Sequence, residues 1–490
     1  MDQAFVRNVR TCRSDAKGEA TSGDTREGES TDAEHRGGAA RSSDEGSVMG
    51  LERRGCDVQP RSRANRQREE PVGEAKPFDI PKRDVWEAFK RVKANRGAAG
   101  VDGQSIEDFE ADLSNNLYKL WNRLSSGSYF PSPVRRVDIP KVDGGTRPLG
   151  IPTVADRIAQ EVVRRRLEPL LEPVFHVDSF GYRPGRSAID AVRRARQRCW
   201  RHNWVLDIDV KGYFDSIDWE LLLKAVRYHT DCSWVVLYIE RWLKVPVQME
   251  DGHVVTRQAG TPQGGVISPL LANLFLHYAF DAWMARMFPH IPFERYADDI
   301  VCHCRSAEAA QALRSALQDR LAACKLELHP QKTKIVYCKD ANRRGDFEHT
   351  SFEFLGFTFR VRKAMNAKGK PFACFLPAIS RKAMTAISRK IRRWRLHLRS
   401  DKPLKDLATM ANPHIRGWIS YFGNFYRTEL RPTLKRIDLY VIRWARRKFK
   451  RLRRKTKGAR DWFDRLRRAN PALFAHWPLC HGNGRTSGAV

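Results

Sequence analysis

The chain has 490 residues, 41% hydrophobic and 30% charged, which is length enough for roughly two to four domains and a sizeable buried core. Lys and Arg number 89 against 57 Asp and Glu, a formal charge of +32 that excludes an ordinary metabolic-enzyme surface and asks for a polyanionic partner. No run approaches the roughly 18–20 uninterrupted apolar residues of a membrane helix, the N-terminus lacks an apolar signal core, and the 10 Cys show no Cys-x-x-Cys spacing, so membrane insertion and secretion give way to a cytosolic chain with reduced thiols.

In chain order, the first 75 residues carry neither Tyr nor Trp and balance 13 basic against 15 acidic residues, so residues 1–77 are expected to be a disordered extension. Helical spacing begins at Val85, Phe89 and Val92, followed by the glycine-bearing loop ANRGAAGVDG. From Tyr129 to about Pro377 short β-rich runs (VRRVDIP, NWVLDIDV, ERYADDIVCHC, KTKIVYC, FEFLGFTFRV) alternate with helical patterns at Ile189–Cys199 and Ala307–Cys324, which predicts a sheet with helices packed on it. Charge then concentrates: residues 381–468 hold 29 Lys and Arg against 6 Asp and Glu. Met384, Ile387, Ile391, Trp394 and Leu398 mark one apolar helix face, with Arg389, Arg392 and Arg393 on the others; Leu434, Ile437, Val441 and Trp444 mark a second helix that ends in Arg446, Arg447, Lys448 and Lys450. Basic amphipathic helices in series, interleaved with Trp418 and other aromatics, point to nucleic-acid binding, with Arg416 in the same stretch.

Three segments carry chemistry. In Trp204–Asp215 a strand feeds a helix, and its alternation puts Asp207 and Asp209 on one face with Asp209 at the strand end. Phe293–Val301 reads as a hairpin with Asp298 and Asp299 at its tip, and AGTPQGGVISPLLAN (259–273) as a Gly/Pro loop opening a helix. Two metal ions clamping an in-line phosphoryl displacement need about three carboxylates from elements that meet in space, and Asp209, Asp298 and Asp299 could supply them. Cys302-His303-Cys304 and Cys480-His481 are read as packing rather than zinc ligands.

At these segments the sequence resembles a reverse transcriptase, and specifically the proteins encoded by bacterial group II introns. Asp209 with Phe214 is similar to the first palm motif, QGGVISPLLAN to the second and YADD to the third; HPQKTKI and FEFLGFTF resemble the fourth motif and the primer grip. NRGAAGVDG, IPKVDGGTRPLGIPTVADR and SFGYRPGRSA resemble the N-terminal extension, the fingers and the segment after them, and IRGWISYF the maturase region. The resemblance implies an α+β right-hand polymerase fold with fingers and palm over 78–377. A basic helical thumb or maturase region over 378–430, a basic DNA-binding-like region over 431–478 and a flexible tail over 479–490 would follow. It implies catalysis and metal binding by Asp209, Asp298 and Asp299, with the Val210 carbonyl a further ligand for two Mg²⁺ ions that Mn²⁺ can replace. Lys141, Arg147, Phe214, Gln263 and Lys332 would contact the nucleotide. The implied activity is RNA-directed DNA polymerisation with maturase assistance to splicing and retrohoming, on intron RNA, a DNA target or primer, and dNTPs. A cytoplasmic, nucleoid-associated setting follows, and a homodimer stays open. The family's endonuclease module, with its His and paired Cys ligands, has no counterpart in this sequence. Two alternatives are a domesticated enzyme in phage defence or DNA repair, and an RNA-binding splicing factor without polymerase activity.

Overall fold

The computed structural model describes residues 76–140, 145–366 and 368–481. The disorder expected for 1–77 therefore lies almost wholly outside the described residues, as do 482–490 of the expected tail. Helix Lys82–Asn95 buries Val85, Ala88, Phe89 and Val92, the face its spacing dictates. It packs on helix Val154–Leu171, whose N-cap Thr153 accepts a hydrogen bond from the Asp156 amide. This second helix is buried almost all round, so its polar residues must find partners, and they tie down loops. The Gln160 Oε1 accepts from the Val266 N–H at 2.7 Å, and an Arg157 Nη donates to the Ala98 carbonyl at 2.9 Å. Beside it, β1 (Val134–Pro140) and β2 (Thr146–Ile151) form an antiparallel pair, extended by the short β4 (Val247–Gln248) and β5 (Val254–Val255) in the order β2-β1-β4-β5.

The central sheet has the order β6-β7-β3-β8, all antiparallel, with β3 Trp204–Asp209, β6 Phe293–Tyr296, β7 Asp299–Cys304 and β8 Lys334–Tyr337. Strand alternation divides its residues between two cores. Leu206, Ile208, Ile300, Cys302 and Cys304 join the large core under helices that include Ala307–Ala323, while Val205 and Val301 face the other way, with Cys199, Phe354 and Phe357. Asp207, Asp209 and Asp299 share the Val205 and Val301 face, because each lies an even number of residues from one of them. The helices expected around Ile189–Cys199 and Ala307–Cys324 are Ala188–Cys199 and Ala307–Ala323, each N-capped by a serine.

The run FEFLGFTFRV divides into β9 (Ser351–Phe354) and β10 (Phe357–Met365), turned through Leu355 (φ 51°) and Gly356 (φ 79°); β10 then pairs with β11 (Pro371–Ile379). Helices Arg381–Arg393, Leu404–Phe422, Arg431–Lys448, Thr456–Ala469 and Trp477–His481 follow, gathered on one apolar core that runs from Ile379 to Cys480. The border expected at 430/431 thus falls inside a shared core. The border at 479 cuts a helix: Cys480 is buried and Asp438 accepts hydrogen bonds from His476, Trp477 and His481 at 2.8–2.9 Å. The apolar stripe expected from Met384 to Leu398 stops early, since the helix ends at Arg393, Arg395 turns left-handed (φ 48°), and Leu396 is buried in place of the exposed Leu398. Among the described residues all eight Cys are free, seven of them buried, and no helix is long and apolar enough to cross a membrane.

Candidate active site

The hairpin β6–β7 turns through Ala297 and Asp298, with Ala297 at φ 57°, so Asp298 stands on the turn and Asp299 opens β7. In register, Asp299 lies directly opposite Asp209, the last residue of β3. Two segments far apart in sequence thereby bring three carboxylates to one sheet end. Burial pushes the Asp299 carboxyl up to about 7; the charges of Asp298 and Asp209 add to that, and the Leu355 N–H opposes it. Asp298 is also raised, by burial first, with Arg147 pulling it back. Asp207, one alternation down the same face, is held well above the usual carboxylate range by burial and then by Asp299 and Asp209.

Crowded hard-oxygen donors of this kind suit a divalent cation. Among the described residues they are not drawn into a closed ligand cluster: the Asp209 Oδ2 pairs instead with the Lys332 ammonium at 3.4 Å. The Val210 main chain flanks the site. The two hydrogen bonds around its bridge to Leu328 are made by its neighbours, from the His329 N–H to the Asp209 carbonyl and from the Lys211 N–H to the Glu327 carbonyl, so its own carbonyl is not used there.

The nucleotide-contact candidates come from several elements: Arg147 from β2, Gln263 from the Gly/Pro loop, Phe214 from the turn after β3 and Lys332 from just before β8. Arg147, exposed on β2, donates from Nε to the Gln263 Oε1 at 2.7 Å, and the Gly150 N–H donates to the Gln263 carbonyl at 2.7 Å. The QGG loop is locked closely enough that a Cβ on Gly264 would lie 2.3 Å from the Gly150 carbonyl. On its other side the loop meets the Phe214 turn: the Thr261 N–H donates to the Phe214 carbonyl at 2.8 Å, and a Cβ on Gly260 would lie 2.7 Å from that oxygen. Phe214 itself is 7% exposed and stands edge-on to Tyr213. Lys141 lies outside the described residues.

Residues 139–359 match the family described as reverse transcriptase (RNA-dependent DNA polymerase), and residues 384–462 the maturase-specific domain of group II introns. The chain is 33% identical over 294 residues to Protein YkfC of Escherichia coli, covering 52% of this chain and 77% of that one. The chain belongs to the group II intron-encoded reverse transcriptase and maturase family. It is also 36% identical over 193 residues to the group II intron-encoded protein LtrA of Lactococcus lactis, and 32% identical over 198 residues to a putative COX1/OXI3 intron 1 protein of Saccharomyces cerevisiae. Those stretches are 39% and 40% of this chain but only 32% and 23% of the relatives, so it spans under a third of each. Membership makes it an RNA-directed DNA polymerase by class, with RNA and DNA as substrates and divalent metal ions as cofactor.

In the group II maturase region the basic residues divide. Arg389, Arg392, Arg393, Arg416, Arg447 and Lys450 are exposed. Lys448 caps the Ser400 and Lys402 carbonyls at 2.9 and 3.2 Å, half-buried Arg446 reaches the Arg453 carbonyl at 3.2 Å, and Trp418 stacks on Trp394 at 5.5 Å. These three have structural work besides any contact with nucleic acid. Sequence reasoning missed two features. Tyr421 of IRGWISYF points away from the basic surface, its hydroxyl donating to the Leu355 carbonyl at 2.9 Å, and Arg295, between the aromatic and acidic residues of FERYADD, is wholly buried. A charged residue on the inward parity of a strand was the available signal for the second.

Proposed function

We propose that this chain copies RNA into DNA on behalf of a group II intron, and assists the splicing and retrohoming of that RNA, in the bacterial cytoplasm at the nucleoid. Asp209, Asp298 and Asp299, with the Val210 carbonyl, would hold two Mg²⁺ ions, and Mn²⁺ meets the same donors. The pairing of Asp209 with Asp299 across β3 and β7, with Asp298 on the turn, is the observation that carries this reading. Held there, such ions would supply the lowered pKa of a primer 3′-hydroxyl and the neutralisation of leaving pyrophosphate.

The chain's own groups bind and orient. Arg147 and Lys141 offer cationic donors to the triphosphate. Gln263 fixes the Arg147 guanidinium through its 2.7 Å bond, and the Phe214 ring bars a 2′-hydroxyl. Lys332, an ammonium beside Asp209, is the proton donor on the pyrophosphate side. Arg389, Arg392, Arg393, Arg416, Arg447 and Lys450 supply phosphate contacts to RNA and the DNA target, and Trp418, Arg446 and Lys448 hold the surface that presents them.

Asp298→Asn and Asp209→Asn, each close in volume to the native side chain, should lower primer extension on an RNA template by about 10³-fold or more, because each removes a metal-ligating charge. RNA affinity should be retained. Extension within about tenfold of wild type in either purified variant overturns the metal assignment.

A further inference from the structure

We propose that Arg295 is a positioning residue for the catalytic turn, acting through Ala297 on Asp298 and Asp299; the inference rests on reading those two carboxylates as metal ligands. Arg295 pairs in register with Ile300, so its side chain enters the helix-packed side of the sheet, where it is 0% exposed. There its fork makes four hydrogen bonds, with each of its three nitrogens engaged. Nε and Nη2 donate to the two carboxylate oxygens of Asp281 at 2.7 and 2.6 Å, and Nη1 donates to the Asn273 Oδ1 at 2.9 Å and to the Ala297 carbonyl at 3.2 Å. One guanidinium therefore fastens the first residue of the catalytic turn to the helix behind it.

The other side of the turn is held as tightly. Asn273 donates from Nδ2 to the Gly181 carbonyl at 2.6 Å, and Gly181 lies so near the turn that a Cβ would stand 2.4 Å from the Ala297 nitrogen. Ala297 is thus held at its carbonyl by Arg295 and pressed at its amide by Gly181, with Asn273 joining the two clamps. A π-helical turn, His277–Asp281, interrupts the helical run from Ser268 to Met287 and ends on the residue that pairs with Arg295. Buried ion pairs are poor stabilisers beside apolar packing of equal volume. What this one supplies that an apolar side chain could not is a set of directed N–H bonds, one of them on the backbone that carries the carboxylates.

Arg295→Lys tests the proposal, since Lys keeps the charge facing Asp281 and loses the planar fork. In single-turnover primer extension the Mg²⁺ concentration for half-maximal rate should rise about three- to tenfold and the rate at subsaturating Mg²⁺ should fall about tenfold, with saturating Mg²⁺ or Mn²⁺ restoring most of it. Affinity for RNA should not change. A purely structural role would instead lower the melting temperature and the burst amplitude, leaving the rate per active site and its Mg²⁺ dependence at wild-type values, and that result overturns the proposal. If Arg295→Lys does not fold, Asn273→Ala, which removes one acceptor from the fork and one donor from Gly181, decides the matter on the same readings. Asp298→Asn run in parallel separates the two failures. An active Asp298→Asn enzyme defeats the metal reading itself, whereas an inactive one beside a wild-type Mg²⁺ profile in the Arg295 or Asn273 variant defeats only the positioning role.

Discussion

Phe214 is held on two sides: its carbonyl accepts from Thr261 and its ring meets Tyr213, so its position is fixed before any nucleotide arrives. Truncating a buried Phe to Ala costs about 3–5 kcal/mol, which would confuse a loss of selectivity with a loss of fold. Phe214→Val keeps an apolar wall and removes the ring edge. Ribonucleotide incorporation relative to dNTP should rise about tenfold or more, read from single-nucleotide kcat/KM values. Unchanged discrimination would leave the ring a core residue only. At this scale the carboxylates were legible because a period-two strand and a turn doublet are local patterns, and Asp209, Asp298 and Asp299 sit where those patterns put them. Arg295 carried the signal of a charge on an inward strand position, but what it binds was no more legible than what Gln160 binds. Their partners, Asp281 with Asn273 and Val266, are set by helix packing, and nothing near them in sequence announces it. For Lys448 and Trp418 the added structural contacts were not legible, since a basic or aromatic residue on an amphipathic helix gives no sign that a neighbouring carbonyl or ring will also engage it.

Among the elements, the tip of the β9–β10 hairpin joins the two halves of the enzyme. The Leu355 carbonyl accepts from the Tyr421 hydroxyl at 2.9 Å, the Leu355 main chain counters the rise of the Asp299 carboxyl, and Phe422 lies 3.5 Å from where a Cβ on Gly356 would stand. Tyr421→Phe deletes one hydroxyl and leaves a half-buried carbonyl without its donor, a loss of about 1 kcal/mol at that point. Faster amide exchange at Leu355–Phe357 and extension slowed by about threefold to tenfold should result, with RNA affinity unchanged. Wild-type exchange and rate would show the bond to be idle. Strand and helix positions here were readable from sequence, since VRRVDIP coincides with β1 and the helical patterns at Ile189–Cys199 and Ala307–Cys324 fall on helices Ala188–Cys199 and Ala307–Ala323. The direction of IRGWISYF was not, because Trp418, Tyr421 and Phe422 lie on one side of the helix at i, i+3 and i+4, and only the tertiary contacts tell that the first meets Trp394 and the other two meet Phe357.

Across the whole molecule, the positive charge gathers on the C-terminal helices, while the carboxylates lie in the central sheet. The exposed cations suited to a test are Arg389, Arg392, Arg447 and Lys450, since Lys448 and Arg446 also cap main-chain carbonyls. Changing these four to Gln should flatten the slope of log affinity against log salt by up to about 3–4, near 0.7–0.9 for each phosphate no longer neutralised. Splicing should fail while a short preformed primer–template is still extended at low salt. A salt slope equal to that of wild type, with normal splicing, would mark the four as a solvated face.

The aromatic seam at the hairpin tip also bears on how this protein could be divided. Phe357 is wholly buried, with ring centroids of Tyr421, Phe422 and Phe425 each 5.4 Å away, in the same core as Val205 and Val301 beside the catalytic strands. A fragment ending near Pro377 would keep Asp209, Asp298 and Asp299 and yet lay that face open to water. A cut between the reverse-transcriptase match and the maturase match would pass through packing that both segments share.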